Sequence, residues 1–191
     1  MAPKKKFSRQ DIIDAAFEIA RDEGLDGITI RKVAQRLGSS IAPIYVNFSE
    51  VEELTEAVVQ KALDVSRQLI MERQTELRFR DIGMASLQFA KEYSLLYRDL
   101  VMKNNSHMKY NDVAVREVVE LMKTDTDLGG FSTEELKGIL LKMQIFQTGL
   151  SVMVANGLLP ADFDDDRTME MLDSAAEDVI TAARLRQQEL P

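Results

Sequence analysis

Apolar residues recur every three or four positions along nearly the whole chain, and no segment alternates apolar and polar residues as a strand would. A spacing of three to four places apolar side chains on one face of an α-helix, whereas a strand needs a period of two. The pattern therefore predicts an all-α protein of about nine helices. With 191 residues, 45% of them hydrophobic, the chain can form one or two domains with a buried core.

Capping residues and glycines divide this pattern into helices. Ser8 and Ser132 are each followed three residues later by a carboxylate, which predicts capping boxes. Thr29 is the expected cap of a second helix that Gly38 ends, and Ser40 is the expected cap of a third. The predicted helices cover about residues 8–23, 29–37, 40–48, 50–74, 82–92, 94–104, 112–123, 133–156 and 167–187.

The composition argues against several classes of function. The chain has no cysteine and a single histidine, His107, so disulfides, thiolate zinc sites and Ser-His-Asp triads lack material. We therefore expect neither an enzyme nor a cofactor or metal. The acidic run Asp164–Asp166 is interpreted as a helix start, because carboxylates are favoured there. No apolar run approaches a membrane span and no apolar stretch follows the N-terminal lysines, so we expect a cytoplasmic protein without membrane contact.

The charges are distributed unevenly. Residues 1–48 hold eight Lys/Arg and six Asp/Glu, a balance of +2, although the whole chain has a net charge of −8. A mildly basic head on an acidic body can approach phosphates while the body keeps its negative charge.

The stretch TIRKVAQRLGSSIAPIYVNF, residues 29–48, has the spacing of two helices joined by a short turn. In a helix-turn-helix, the first helix braces the DNA backbone and the second enters the major groove. Val33, Leu37, Ile44 and Phe48 are expected to form its core. Spacing alone is a weak signal, because many short helix pairs share it.

The longer segment IIDAAFEIARDEGLDGITIRKVAQRLGSSIAPIYVNF, followed by EELTEAV, resembles the N-terminal domain of the tetracycline-repressor (TetR) family. The resemblance covers about residues 8–60, a third of the chain. FAKEYSLLYRDLV and FQTGLSVMVANGLL resemble two helices of the family's variable C-terminal domain. The resemblance implies a DNA-binding domain at residues 1–48, a connecting helix at 50–74, and a ligand-binding and dimerisation domain at 49–191.

The resemblance also implies a function. We expect a homodimeric transcriptional regulator, a repressor released from a near-palindromic double-stranded DNA operator by a small apolar effector. One alternative is a protein-interaction module of the same fold that has lost specific DNA binding. The other is a small helical enzyme, for which no catalytic group is evident.

The sequence departs from the family pattern at expected phosphate contacts. Val46–Asn47 replaces a basic or histidine pair, and Val51 replaces a lysine. Apolar side chains can still read thymine methyl groups. We expect two groups of DNA contacts. The residues expected on phosphates are Lys4, Lys5, Lys6, Thr29, Arg31, Lys32, Tyr45 and Asn47. The residues expected on bases are Gln35, Ser39, Ser40, Ile41, Ala42 and Pro43.

Two further sets of residues are expected in the C-terminal part. An effector pocket is predicted from methionines and aromatic residues, although such a stripe is also typical of an ordinary core. It comprises Met84, Phe89, Tyr93, Tyr97, Met102, His107, Met143, Phe146 and Gln147. The long helix predicted from Thr133 carries two apolar seams and the last helix carries one, which indicates a four-helix dimer interface or else a helix buried in a monomer. The expected interface is Leu141, Ile145, Thr148, Val152, Leu172, Ala176, Val179 and Ala183.

Overall fold

The structure is a computed structural model, and it describes residues 7–104, 106–107, 112–155, 157–160 and 162–189. Within these residues it is all-helical and contains no strand, which confirms the predicted fold class. Its nine α-helices are α1 (Arg9–Glu23), α2 (Ile30–Leu37), α3 (Ala42–Asn47), α4 (Val51–Glu72), α5 (Arg78–Glu92), α6 (Ser94–Tyr97), α7 (Asp112–Met122), α8 (Thr133–Ala155) and α9 (Asp165–Glu189).

Most of the helix caps predicted from the sequence are confirmed. Ser8 and Asp11 form a full capping box at α1, and the N–H of Glu135 donates to the Ser132 hydroxyl at the start of α8. Asp164 accepts a hydrogen bond from the N–H of Arg167, 3.0 Å away, so its carboxylate caps α9. These caps depend only on residues close in sequence, which is why the pattern predicts them.

The predicted start of the third helix is wrong. Ser40 does not cap α3, because the capping position is Ile41, which has helical dihedral angles (φ −71°, ψ −17°) and no side-chain cap. The Ser39 hydroxyl instead donates to the Ser40 carbonyl at 2.8 Å. Pro43 lies in the first turn of α3, as predicted, where its missing N–H leaves no bond unmade.

The segment 94–104, predicted as one helix, also differs from its prediction. It is α-helical only over α6 and then widens into a π turn, Arg98–Met102, in which the N–H of Lys103 donates to the carbonyl of Arg98 at 3.0 Å. A bond between residues five apart accommodates one extra residue in the helix.

The described residues form two compact units, one within residues 1–68 and 89–109, the other within residues 69–88 and 110–191. The first unit is centred on fully buried side chains that include Ile12, Ile44, Leu54 and Leu96. The second is built mainly from α7, α8 and α9, with Met122, Leu136 and Ile139 at its centre. The functional boundary expected at residue 48 stays a prediction.

Inside the first unit, Asp99 connects the π turn to the segment that follows α1. Its carboxylate is 3% exposed and accepts hydrogen bonds from the N–H of Leu25 (2.7 Å), from Arg98 (3.0 Å) and from Lys103 (2.9 Å). Burial raises the pKa of Asp99, but the hydrogen bonds from Lys103, the Leu25 N–H and Arg98 outweigh it, so the pKa lies below its usual value. The carboxylate thus stays charged and caps the 3-10 turn at Leu25–Gly27.

None of the helices within the described ranges is long and apolar enough to cross a membrane.

Candidate nucleic-acid interface

The turn between α2 and α3 is set by backbone hydrogen bonds at the end of α2. Thr29 caps α2 by accepting a bond from the N–H of Lys32 at 3.2 Å. Gly38 takes the left-handed conformation (φ 63°), and the N–H of Ser39 donates to the carbonyl of Ala34 at 2.9 Å. This pattern of bonds ends the helix and redirects the chain. The segment is therefore a helix-turn-helix, as its spacing predicts.

Buried side chains fix which face of α3 points outward. Ile44 is fully buried, Phe48 is 1% exposed, and Val33 of α2 is fully buried beside the same core. These positions agree with the core expected from the sequence, while Leu37 is only half-buried. With Ile44 and Phe48 held inside, the rotation of this short helix about its axis is determined.

The opposite face of α3 is apolar and exposed. Its residues are Ile41 (47% exposed), Ala42, Tyr45 (54%) and Val46 (84%). Ile41, Ala42 and Tyr45 are expected DNA contacts and lie on this surface, whereas Pro43 is half-buried at its edge. The sequence interpretation missed Val46, which is the most exposed large apolar side chain of the helix.

Arg9 of α1 stabilises the end of α3. Its guanidinium lies over the Phe48 ring, 4.0 Å from the centroid, and donates to the carbonyl of Asn47 at 2.5 Å. A second nitrogen of Arg9 contacts Glu53 at 3.0 Å. The Asn47 amide donates to the carbonyl of Pro43 at 2.8 Å. The Asn47 side chain, an expected DNA contact, is thus bonded to its own helix.

The acidic start of α4 is partly neutralised. Hydrogen bonds from the Ser49 N–H and from Arg9 lower the pKa of Glu53. The Ser49 N–H lies 2.9 Å from the carboxylate. Glu50 and Glu52 are exposed beside it. Two carboxylates therefore stand next to α3, where a phosphate-binding surface would favour cations.

The cations of α2 are not equally available. Lys32 forms an ion pair with Glu23, and Arg36 lies 3.6 Å from Asp22 and 3.8 Å from Glu18. Arg31 is exposed and forms no ion pair with any residue that the structure describes. Of the other expected contacts, Thr29, Gln35 and Ser40 are exposed, and Ser39 is half-buried. Lys4, Lys5 and Lys6 lie outside the described residues.

The expected effector residues are divided between the two units. In the first, Phe89 (7% exposed) stacks on Tyr93 with ring centroids 5.1 Å apart, and Tyr93 contacts Phe17 of α1 at 5.7 Å. Tyr97 is buried too, so these aromatic rings belong to the core of that unit. Met102 is 41% exposed. His107 lines a cleft of about 350 Å³ together with Asp99 and Lys103.

In the second unit, Met143 is buried and Phe146 packs against the core, while Met84 is half-buried. Gln147 is 8% exposed, and its amide lies 3.4 Å from the carbonyl of Gly83. One turn further, Ser151 is 6% exposed, and its hydroxyl has no hydrogen-bond partner in the described structure. Ser151 is absent from the residues expected from the sequence, because a serine among apolar residues carries no periodic signal.

The residues expected at a dimer interface also separate into two groups. Leu141 and Ile145 of α8 are 55% and 66% exposed, and Thr148 and Val152 are half-buried. Leu172 of α9 is instead part of the core of its own chain, and Ala176, Val179 and Ala183 pack against that core. The single chain therefore already covers this face of α9, because α9 packs along α8 in the same unit.

Residues 12–58 match the model of the family described as bacterial regulatory proteins, tetR family. The tetracycline repressor protein class D of Escherichia coli is 34% identical over 58 residues, which are 30% of this chain and 27% of that protein. The match therefore spans about a quarter of that repressor. An HTH-type transcriptional regulator of Staphylococcus aureus is 23% identical over 137 residues, 67% of this chain and 74% of that protein.

Solved structures share the fold over most of the chain. A tetR-family transcriptional regulator from Streptomyces coelicolor has a TM-score of 0.70 at 14% identity, covering 95% of this chain and 83% of that one. A TetR variant from Acinetobacter baumannii AYE in complex with minocycline has a TM-score of 0.64 at 17% identity, covering 95% and 99%. Residues 12–58 therefore match the tetR family of bacterial regulatory proteins, and the chain as a whole shares the helical fold of these solved structures.

Proposed function

We propose that the protein is a DNA-binding transcriptional regulator that represses transcription as a dimer and is released from its operator by a small molecule. The observation that supports this most is the helix-turn-helix of residues 30–47, which lies inside the matched family segment and presents an exposed face of α3. Two copies of α3 would enter major grooves about one helical turn, or a small multiple, apart.

Phosphate contacts supply most of the affinity in this proposal. Arg31 is an exposed cation of α2 that forms no ion pair with any described residue, and Lys4, Lys5 and Lys6 precede α1 in the sequence. The hydroxyl groups of Thr29 and Tyr45 add neutral contacts. Because Lys32 and Arg36 are paired with α1 carboxylates and Glu50 and Glu52 are exposed, we expect modest affinity with a shallow salt dependence.

The exposed apolar side chains of α8 support a dimer. Leu141 and Ile145 lie one turn apart and are more than half exposed in the single chain. Contiguous exposed apolar surface of this kind is typical of protein–protein contacts. A two-fold arrangement would bring the α8 helices of two chains together at Leu141 and Ile145.

The effector in this proposal is an apolar molecule with a hydrogen-bonding group. Gln147 and Ser151 are buried polar side chains in the largely apolar second unit, and the Ser151 hydroxyl lacks a partner within the described residues. A buried hydroxyl without a partner is costly, so a ligand that supplies one gains binding energy. The effector must bind the released state more tightly than the DNA-bound state, because equal affinity shifts nothing.

Selection from a random pool of 40-base-pair duplexes at about 50 mM salt, where phosphate contacts are strongest, tests the DNA-binding part. We expect enriched duplexes with a near-palindromic motif. Ala42→Asp places a charge on the exposed face of α3 and should abolish binding without unfolding the protein. Enrichment that is unaffected by Ala42→Asp would contradict this placement of α3.

One alternative has its own support. The exposed Val46, together with Glu50 and Glu52, also suits a surface that binds another protein rather than phosphate. In that case no duplex would be enriched at low salt, although the fold is intact by thermal unfolding.

A further inference from the structure

We propose that Val46 and Ala42 select DNA by contacting thymine C5-methyl groups, so that the base sequence is recognised mainly through the positions of methyl groups. This inference rests on the proposed function, because it requires α3 to lie in a major groove. The inference assigns Val46 a role in binding, whereas the sequence alone indicates only that a phosphate contact is missing at this position.

The exposed face of α3 offers almost no hydrogen bonding. Of its four residues, Ile41, Ala42, Tyr45 and Val46, only Tyr45 has a polar group. The one amide on the helix, that of Asn47, is half-buried and donates to the carbonyl of Pro43 at 2.8 Å. Hydrogen-bonded base readout usually relies on Arg, Lys, Asn, Gln, Glu or Asp, and no such side chain extends from this face.

The chemistry of the major groove then leaves one partner for this face. Base pairs present hydrogen-bond donors and acceptors there, and the apolar group that they present is the C5-methyl of thymine. An apolar side chain pressed against donors and acceptors would leave them without partners, which costs affinity. The face is therefore complementary to thymine-containing steps and is mismatched to the cytosine amino group.

The position of Val46 makes it the main contact. It is 84% exposed, which leaves nearly its whole side chain free for a partner, and Ala42 lies one helical turn before it on the same face. Side chains four apart on a helix are about 5–6 Å apart, a spacing suited to methyl groups on neighbouring base pairs. Ile44 and Phe48, both buried, prevent the helix from rotating this pair away.

The exposed Arg31 and the small size of this face favour DNA over a protein as its occupant, although Glu50 and Glu52 are also exposed beside α3. Arg31 of α2 is exposed and forms no ion pair with any residue in the described ranges, so it is available to a phosphate flanking the groove. The face itself consists of only four residues, about one turn of a six-residue helix. A stable protein interface needs about 20–30 residues on each side.

Chemically modified duplexes test the inference directly. The duplexes enriched in the selection are synthesised with deoxyuridine at single thymine positions, which removes only the methyl group. In a second set of duplexes, the T·A pair at the same positions is replaced by a C·G pair or by a 5-methylcytosine·G pair. We expect the wild-type protein to lose about fourfold in affinity for each contacted methyl removed, the value for burying one such group. The 5-methylcytosine duplex should bind more tightly than the cytosine duplex.

Val46→Ala identifies the residue responsible. It should lose affinity for the thymine duplex and no longer distinguish thymine from uracil at one position of each half-site. Arg31→Ala is the matched comparison, because loss of a phosphate contact weakens thymine and uracil duplexes by the same factor. Thermal unfolding of Val46→Ala should match wild type, since the side chain is 84% exposed.

The outcomes separate the two proposals. If duplexes are enriched but bind equally well with uracil, or if Val46→Ala keeps the full thymine preference, the methyl readout is wrong and the DNA-binding function stands. If no duplex is enriched, the proposed function itself fails. If Val46→Ala instead changes the mass of the protein in solution, the face binds a second copy of the chain and the readout is again wrong.

Discussion

At the scale of single residues, Gly24 is a position that tolerates no side chain. Its backbone has φ 84° and ψ 173°, a region that is essentially restricted to glycine. A Cβ added there would lie 2.5 Å from a carboxylate oxygen of Asp99. The end of α1 and the buried carboxylate of the π turn therefore require glycine for two independent reasons.

Gly24→Ala should lower the free energy of unfolding by about 2–4 kcal/mol, because strained backbone and steric overlap add. Gly38→Ala is the matched control, since Gly38 also has positive φ but a Cβ there would meet nothing within 4 Å. It should cost only about 1 kcal/mol. Urea denaturation of both variants measures the difference, and equal losses would show that the Asp99 contact is unimportant.

Asp99 should make the protein sensitive to acid. Because its pKa in the folded protein is lowered, its contribution to stability is present above the ordinary value of 3.8 and is lost as the pH falls below it. The Tm of wild type should therefore fall as the pH drops below 3.8, and that of Asp99→Asn should be lower at neutral pH with a flatter dependence. Asp26→Asn removes an exposed partner of Lys103 and should change little. Parallel curves for wild type and Asp99→Asn would contradict the assignment.

At the scale of elements, local signals predict helix starts and tertiary contacts decide the rest. Ser8, Thr29 and Ser132 cap the helices that the sequence indicates, because the donor and acceptor of each bond are at most three residues apart. The π turn is not predictable in this way, since Asp99 within it bonds to the N–H of Leu25, 74 residues away.

The two cations at the start of α2 should contribute differently to DNA binding. Arg31→Ala should weaken binding to all duplexes and reduce the slope of log affinity against log salt by about one, because one phosphate contact is lost. Lys32→Ala should have a smaller effect, because Lys32 must first leave Glu23. Titrations between about 50 and 200 mM salt compare the two. Glu23→Gln should strengthen binding, and weaker binding in that variant would argue against a competing ion pair.

At the scale of the whole molecule, the sequence predicts the architecture better than the functional surfaces. The core positions Val33, Ile44 and Phe48 follow from periodicity and are buried. Leu172 follows the same periodicity yet belongs to the core of its own chain, since a stripe on a helix does not say which partner covers it. Val46 is not predicted from the sequence for a related reason: where the family pattern has a cation, a valine counts only as a lost phosphate contact, and its exposure is what indicates a role.

Ile145→Asp should separate the proposed dimer. Ile145 is 66% exposed in the single chain, so the charge does not disturb the core, but it would lie buried between two copies of α8. Light scattering should give a monomer mass for this variant and a dimer mass for wild type. Val113→Asp, on the 57% exposed Val113 of α7, is the control and should remain dimeric. A dimer mass for Ile145→Asp would place the interface elsewhere.

The chain leaves the first unit after residue 68 and returns to it at residue 89. This limits which segments can be exchanged between proteins of this fold. A hybrid that joins residues 1–68 to the body of a distant relative would leave the N–H of Leu25 without the Asp99 carboxylate and would uncover the side chains that Leu96 now packs against. Exchange of the helix-turn-helix between proteins of this fold therefore requires that residues 89–104 be transferred together with residues 1–68. The alternative is a recipient that already has an acidic residue at the position equivalent to Asp99.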